Sequence, residues 1–150
     1  MHLSKFTDYA IRVCLYLGVQ QGRTVKISEI AQAYSLSQSN LMKVVNQLVD
    51  GGYLRSLRGR SGGVTLAFAP EEIRIGEVAR FMEGDTAVVD CSSCLLRGSC
   101  GLTRALREAQ NAFYTHLDQW TVADALTAHP RTLGLLLGTR SDARAEPTAR

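Results

Sequence analysis

No apolar run in this chain approaches the roughly 20 residues needed to cross a bilayer. Asp8 and Arg12 interrupt the N-terminal stretch that a secretory leader would keep apolar. The expected compartment is therefore the cytoplasm, with no membrane partner. Histidine is scarce and scattered: His2, His116 and His129 each read as a surface or interface residue. No serine sits in a nucleophile elbow and no glycine-rich phosphate loop is present, so the chain does not read as an enzyme. No internal repeat is visible. A large excess of charge is lacking too: the net value is +3 over 150 residues. It is uneven, however. Residues 1–80 carry ten Lys/Arg against six Asp/Glu, and residues 81–150 carry seven against eight. A local basic patch centred on Lys43, Arg55, Arg58 and Arg60 suits a domain that reads DNA.

Cysteine is sparse, with four residues in all, yet three fall in the run Cys91-Ser92-Ser93-Cys94-Leu95-Leu96-Arg97-Gly98-Ser99-Cys100. Where thiols stay reduced, such a cluster argues for a metal. Thiolates bind zinc, copper(I) and iron–sulfur clusters, and three sulfurs are one short of a closed tetrahedral set. The loop is either a structural zinc site completed from elsewhere or the seat of a cluster with one weakly held iron. A disulfide with a spare thiol is the third reading. Cys14 stands apart, on an apolar helical stripe, as a small buried hydrophobe.

The chain is long enough for one domain with a core of its own. Ser4 is an N-cap for a first helix whose stripe is Phe6, Tyr9, Ala10, Val13, Cys14 and Leu17. Asp8 lies off that stripe, one turn before Arg12, where a first-turn acid is favoured and can pair with it. Gly22 breaks this helix. A second opens at Ser28 and turns Ile30, Ala31 and Tyr34 inward. Ser37 caps a third, which buries Leu41, Val44, Val45, Leu48 and Val49. Its other face shows Gln38, Ser39, Asn40, Lys43, Asn46 and Gln47. Two short helices joined by a tight turn, the second amide-rich and basic outside, predict a helix-turn-helix. Amides can bond adenine edges, and lysine reaches guanine or phosphate. Residues 53–57 and 64–68 read as strands joined by Arg58-Gly59-Arg60-Ser61-Gly62-Gly63. That hairpin is a wing whose arginines suit a narrow minor groove.

Pro70 starts a link to a fourth helix over 73–83. After the cysteine loop, a long helix is predicted from Leu102 to Trp120, with Leu102, Ala105, Leu106, Ala109, Ala112, Phe113, Leu117 and Trp120 apolar. A helix of that length predicts packing on a second copy of the chain in a two-fold dimer. Thr121 caps a short helix over 122–128, Pro130 ends it, and Leu133 to Leu137 could dock as a last apolar turn. The fold class is thus mainly α (α+β): a winged helix-turn-helix with a long C-terminal dimerisation helix. The organisation is a DNA-binding region over 1–83, a cluster-binding loop over 84–101, the dimerisation helix and short helices over 102–137, and a disordered tail over 138–150.

With these residues placed, the chain resembles the Rrf-two family of bacterial winged-helix regulators, in particular its NsrR-type, nitric-oxide-sensing branch. The matching pieces are Phe6 to Ala10, Ile27 to Ile30, Met42 to Leu48, the wing Arg58 to Gly63, Ile73 to Val78, Asp90 to Ser93, Ser99 to Leu102 and Thr121 to Leu126. The resemblance covers about residues 1 to 137. It implies a homodimer on a double-stranded DNA operator, read here as a repressor whose Gln38, Ser39, Asn40 and Lys43 enter the major groove while Arg58 and Arg60 reach the minor groove. It implies an iron–sulfur cluster, 4Fe-4S with 2Fe-2S as the alternative, on Cys91, Cys94 and Cys100. Asp8 of the other subunit would be the fourth ligand, and nitric oxide would lower DNA affinity by attacking the cluster. The family's first two cysteines usually stand further apart than Cys91 and Cys94, so the loop here is shorter. Two rival readings remain: iron or redox sensing on the same fold, and a zinc-stabilised DNA-binding module that senses nothing.

Overall fold

The computed structural model describes residues 2–84 and 86–138. Seven helices and one hairpin follow in the order α1 (Lys5–Val19), α2 (Ile27–Tyr34), α3 (Gln38–Asp50), β1 (Leu54–Leu57), β2 (Gly63–Leu66), α4 (Ile75–Glu83), α5 (Gly101–Leu117), α6 (Val122–Thr127) and α7 (Thr132–Leu136). The predicted tail lies outside the described residues, apart from Gly138. None of these helices is long and apolar enough to cross a membrane.

The helix starts follow from capping chemistry. The Ser4 hydroxyl accepts from the Thr7 amide at the head of α1, relieving one of the donors a helix start leaves unpaired. At α6, Thr121 and Asp124 form a reciprocal capping box. The turn between α2 and α3 is tight because Ser35 adopts a left-handed conformation (φ 53°), which lets the Leu36 amide return to the Ala31 carbonyl at 2.8 Å. That turn sets α3 across α2, and the two bury Ile30, Ala31, Leu41, Val44, Val45 and Leu48 against Val13, Cys14 and Leu17 of α1. Each fully buried aliphatic of this set contributes about 1.5–3 kcal/mol. β1 and β2 pair antiparallel with Leu54 opposite Leu66 and Leu57 opposite Gly63. Val25 adds a bridge to Val64 on the outer edge.

Several boundaries differ from the sequence reading by one to three residues, and two of them differ because of tertiary pairing. The second helix opens one residue early, at Ile27. The fourth begins at Ile75 rather than Ile73, because the Ile73 carbonyl accepts from the Val122 amide at 2.9 Å and Arg74 bridges Thr121. The long helix stops at Leu117, three residues short of Trp120. Its continuation is used up by pairing: the Trp120 carbonyl accepts from the Ile75 amide at 2.8 Å, and Thr121 bridges Arg74. These contacts return the chain to its N-terminal half. Val122 and Leu126 of α6 join the same core as α1, where Gly18 leaves just enough room for them.

Candidate nucleic-acid interface and cysteine loop

The outer face of α3 is open. Gln38, Ser39 and Lys43 are exposed and Asn40 is half-buried, while the opposite face is sealed in the core. This split is what the 3.6-residue period of a half-buried helix dictates. Arg58 and Arg60 are exposed at the tip of the wing. Gly59 turns that tip with φ 105°, and the Gly62 amide returns to the Gly59 carbonyl at 3.0 Å. Between α3 and the wing runs a groove of about 350 Å³, bordered by Lys26, Gln38, Met42, Asn46 and Ser56. Lys26 and Ser56 are additions to the sequence-derived set. They lie in separate elements and only the hairpin's return brings them beside α3, so no local pattern marked them.

The ion pairs of the chain sharpen the contrast. Arg12 pairs with Asp8, Arg23 with Glu29, Arg80 with Asp118 and Arg104 with Glu108. Among the described residues, Lys43, Arg58 and Arg60 have no such partner. Exposed cations on α3 and the wing are available to phosphate oxygens, whose capture releases condensed counterions.

The second site is the loop between α4 and α5. All four cysteines are free; Cys14 is fully buried, Cys94 is exposed, and Cys91 and Cys100 are half-buried. Burial pushes the Cys14 thiol up to about 12, so it is an inert core group. The loop is a series of turns: Cys94 N–H donates to the Cys91 carbonyl (3.3 Å), Arg97 N–H to Cys94 (3.1 Å) and Ser99 N–H to Leu96 (2.9 Å). Gly98 supplies the left-handed residue (φ 83°) that brings the chain to Cys100. Cys100 is the N-cap of α5, and the backbone N–H groups of Leu102 and Thr103 hold its thiol below the ordinary cysteine value. The shift is toward the thiolate, the form that binds soft metals. Beside the loop lies an open cavity of about 580 Å³, lined by Val88, Val89, Cys91, Arg97, Leu106 and Arg107.

Cys91, Cys94 and Cys100 share one loop, but among the described residues no three His, Cys, Asp or Glu side chains converge as a metal-holding set. Asp8 is not brought to them within one chain. It sits in the first turn of α1, with Oδ1 accepting from Arg12 Nε and Oδ2 facing the guanidinium, both at 2.9 Å. The donor chemistry fits an iron–sulfur group: three accessible thiols, none committed to a disulfide, and one biased toward the anion.

α5 is the least buried of the long elements. Tyr114 is its one buried residue, while Leu102 (62% exposed), Ala105, Ala109 and Ala112 face outward. Its end is fastened to α4: Arg80 pairs with Asp118 at 2.7 Å and lies 5.1 Å from the Tyr114 ring centre.

Known proteins resemble this chain in sequence and fold. Residues 3–128 match the family model described as Rrf2, iron-dependent transcriptional regulator. The HTH-type transcriptional regulator NsrR of Bacillus licheniformis is 41% identical over 132 residues, covering 84% of this chain and 92% of the relative. The regulator of the same name from Bacillus subtilis is 40% identical over 130 residues, covering 83% and 89%. Among solved structures, CymR, the global cysteine regulator of B. subtilis, superposes with a TM-score of 0.71 at 26% identity, over 86% of this chain and 98% of that one. T. potens IscR gives 0.69 at 25% identity, over 85% and 88%. These likenesses bear out the mainly helical winged-helix fold.

Proposed function

The chain belongs to the Rrf2 family and is a transcriptional regulator of the NsrR type, not an enzyme; we propose that it is a cytoplasmic, homodimeric repressor that senses nitric oxide through an iron–sulfur cluster. The observation that carries this reading is the pairing, in one chain, of exposed cations on α3 and the wing with three free thiols in the loop that leads into α5. The first is suited to DNA and the second to a soft metal centre.

Residues 1–83 then act as the DNA-reading region. Gln38, Ser39, Asn40 and Lys43 face the major groove, and Arg58 and Arg60 reach the adjacent minor groove. Residues 84–101 carry the sensing group, and residues 102–137 carry the dimer helix. The outward stripe of Leu102, Ala105, Ala109 and Ala112 supports the dimer, since small residues let two helices approach closely. When bound, a cluster of this kind offers an iron with which nitric oxide can react. Cys91, Cys94 and Cys100 would hold it, and Asp8 of the second subunit would complete the set, exchanging its pairing with Arg12 for the metal. A carboxylate oxygen is a harder, weaker ligand for iron than a thiolate.

Two predictions follow from these assignments. Arg58→Ala should weaken operator binding more than about tenfold, or about 1.4 kcal/mol, measured by fluorescence anisotropy at fixed salt. Unchanged binding would remove the wing from DNA recognition. Asp8→Ala should alter the visible spectrum of the loaded protein and its reaction with nitric oxide, and an unaltered spectrum would exclude the carboxylate as a ligand. The reading as a whole is tested by anaerobic purification, iron, sulfide and zinc analysis, and an absorbance titration with nitric oxide. About four irons and four sulfides per chain, with a band bleached by nitric oxide, would support it. About two of each, with reversible iron loss and little response to nitric oxide, would shift the signal to iron or redox state. Zinc without sulfide would leave a structural loop.

A further inference from the structure

The last turn of α4 touches three other elements immediately before the chain enters the cysteine loop. Arg80 is fastened to α5 through Asp118 and Tyr114. Glu83 accepts from the Ser4 amide at 2.6 Å and from the hydroxyl of fully buried Thr7, so it clamps the start of α1. Between these anchors, the Phe81 ring lies over the C-cap of the recognition helix α3. A methyl group at Gly51 would stand 2.5 Å from its Cζ and 2.7 Å from its Cε1. Tyr53, two residues beyond, meets the same ring with centroids 5.4 Å apart. Gly84 follows with φ 63°, and the loop begins.

The glycine at 51 is not required by its backbone. Its φ of −76° and ψ of −4° are open to any residue. The space above it is required, and Phe81 fills that space. Because α3 must keep its outer face free for DNA, support at its end has to come from behind, and Phe81 supplies it. The ring is 43% exposed, so the contact lies outside the core and contributes little to stability.

We infer that Phe81 is a positioning residue that links the cysteine loop to the recognition helix within one chain. The inference rests on the sensing role proposed for the loop. A displacement at the base of the loop acts on the last turn of α4, and the Phe81 ring, packed on Gly51, passes it to the end of α3. This route is separate from any contact made across the dimer.

The test uses full-length wild type, Phe81→Ala, Gly51→Ala and the double variant. Each is compared with its cluster loaded and after anaerobic iron removal. Three quantities are read: operator affinity of both forms, the unfolding temperature of the cluster-free form, and hydrogen exchange at the amides of residues 51–53. The expected result is that each single variant lowers the loaded-to-free affinity ratio about fivefold or more. The double variant should fall no further than the worse single one, since both changes cut one contact. Exchange at residues 51–53 should differ between the two forms in wild type only, and unfolding should move by less than about 5 °C. An unchanged ratio in the variants, beside a clear wild-type ratio, overturns the inference alone. Additive losses, or a loss that tracks unfolding, overturn it as well. A wild-type ratio of one overturns both the inference and the sensing role on which it rests.

Discussion

Serine in place of Cys94 is expected to remove the proposed metal centre and leave the fold intact. Iron and sulfide per chain should fall below about a tenth of the wild-type values, the visible absorbance should vanish, and operator affinity should match that of cluster-free wild type and ignore nitric oxide. The reason is the count of donors. Three thiols are already one short of the four sulfurs that usually hold an iron–sulfur group, and an un-ionised alcohol does not replace a thiolate. Cys94 is exposed and borders no part of the core, so thermal unfolding of the cluster-free protein should be unmoved. Cys14→Ser is the control with the opposite signature. It buries a hydroxyl at a fully enclosed site and should cost about 1–3 kcal/mol of stability with iron content retained. A Cys94→Ser protein that keeps its iron and sulfide would remove this loop from the sensing role.

Alanine in place of Gly76 is expected to give a large loss of stability for a single added methyl group. Gly76 lies in the first turn of α4, where the helix packs on the end of α5. A Cβ there would meet the Asp118 carboxylate, and would also stand 2.6 Å from the Asp118 amide nitrogen and 2.6 Å from the Tyr114 carbonyl. The carboxylate can swing away, but the two backbone atoms cannot, so the helices must separate. Separation would also strain the Arg80–Asp118 pair and the bond from Arg74 to the Asp118 carbonyl. Overpacking of this kind costs about 3 kcal/mol, which for a chain of this size lowers the unfolding temperature by roughly 10 °C. Differential scanning calorimetry of the cluster-free protein measures it directly. Adding Asp118→Ala should restore little, because the obstructing backbone remains. A shift smaller than about 2 °C would show that the α4–α5 contact is softer than its geometry indicates. The comparison with Gly51→Ala is informative: there the obstacle is the free end of a half-exposed ring, which can move aside, and little stability is at stake.

Local chemistry made much of the fold legible. Ser4 and Thr121 marked two helix starts because a side-chain oxygen beside an unpaired amide is a local arrangement. The stripes Val13–Leu17 and Leu41–Leu48 marked one buried face each because the helical period is a local property. The wing was readable from Gly59 and the arginines beside it. The outward polar face of α3 was readable by subtraction, as what the core could not take. The fourth helix and the long helix were found, but their ends were not. Trp120 continues the apolar period of α5, and nothing nearby says that its carbonyl is claimed by Ile75. Thr7 carries no signal of its own either: it is buried because Glu83, far along the chain, accepts its hydroxyl.

The sequence by itself determined the kind of protein this is. It determined the order of helices, the wing, the basic patch of Lys43, Arg55, Arg58 and Arg60 and a trio of thiols in one loop, because each depends on residues close together in the chain. Only the tertiary structure decided where those parts stand. It returned α6 to the core beside α1, set the last turn of α4 against Gly51 and the start of α1, and left the stripe of α5 uncovered. It also held Asp8 on Arg12 within one chain, away from the three cysteines. Each of these is a pairing between distant segments, chosen by which surfaces fit once the chain has closed on itself. A periodic pattern marks a face for burial without naming what will cover it.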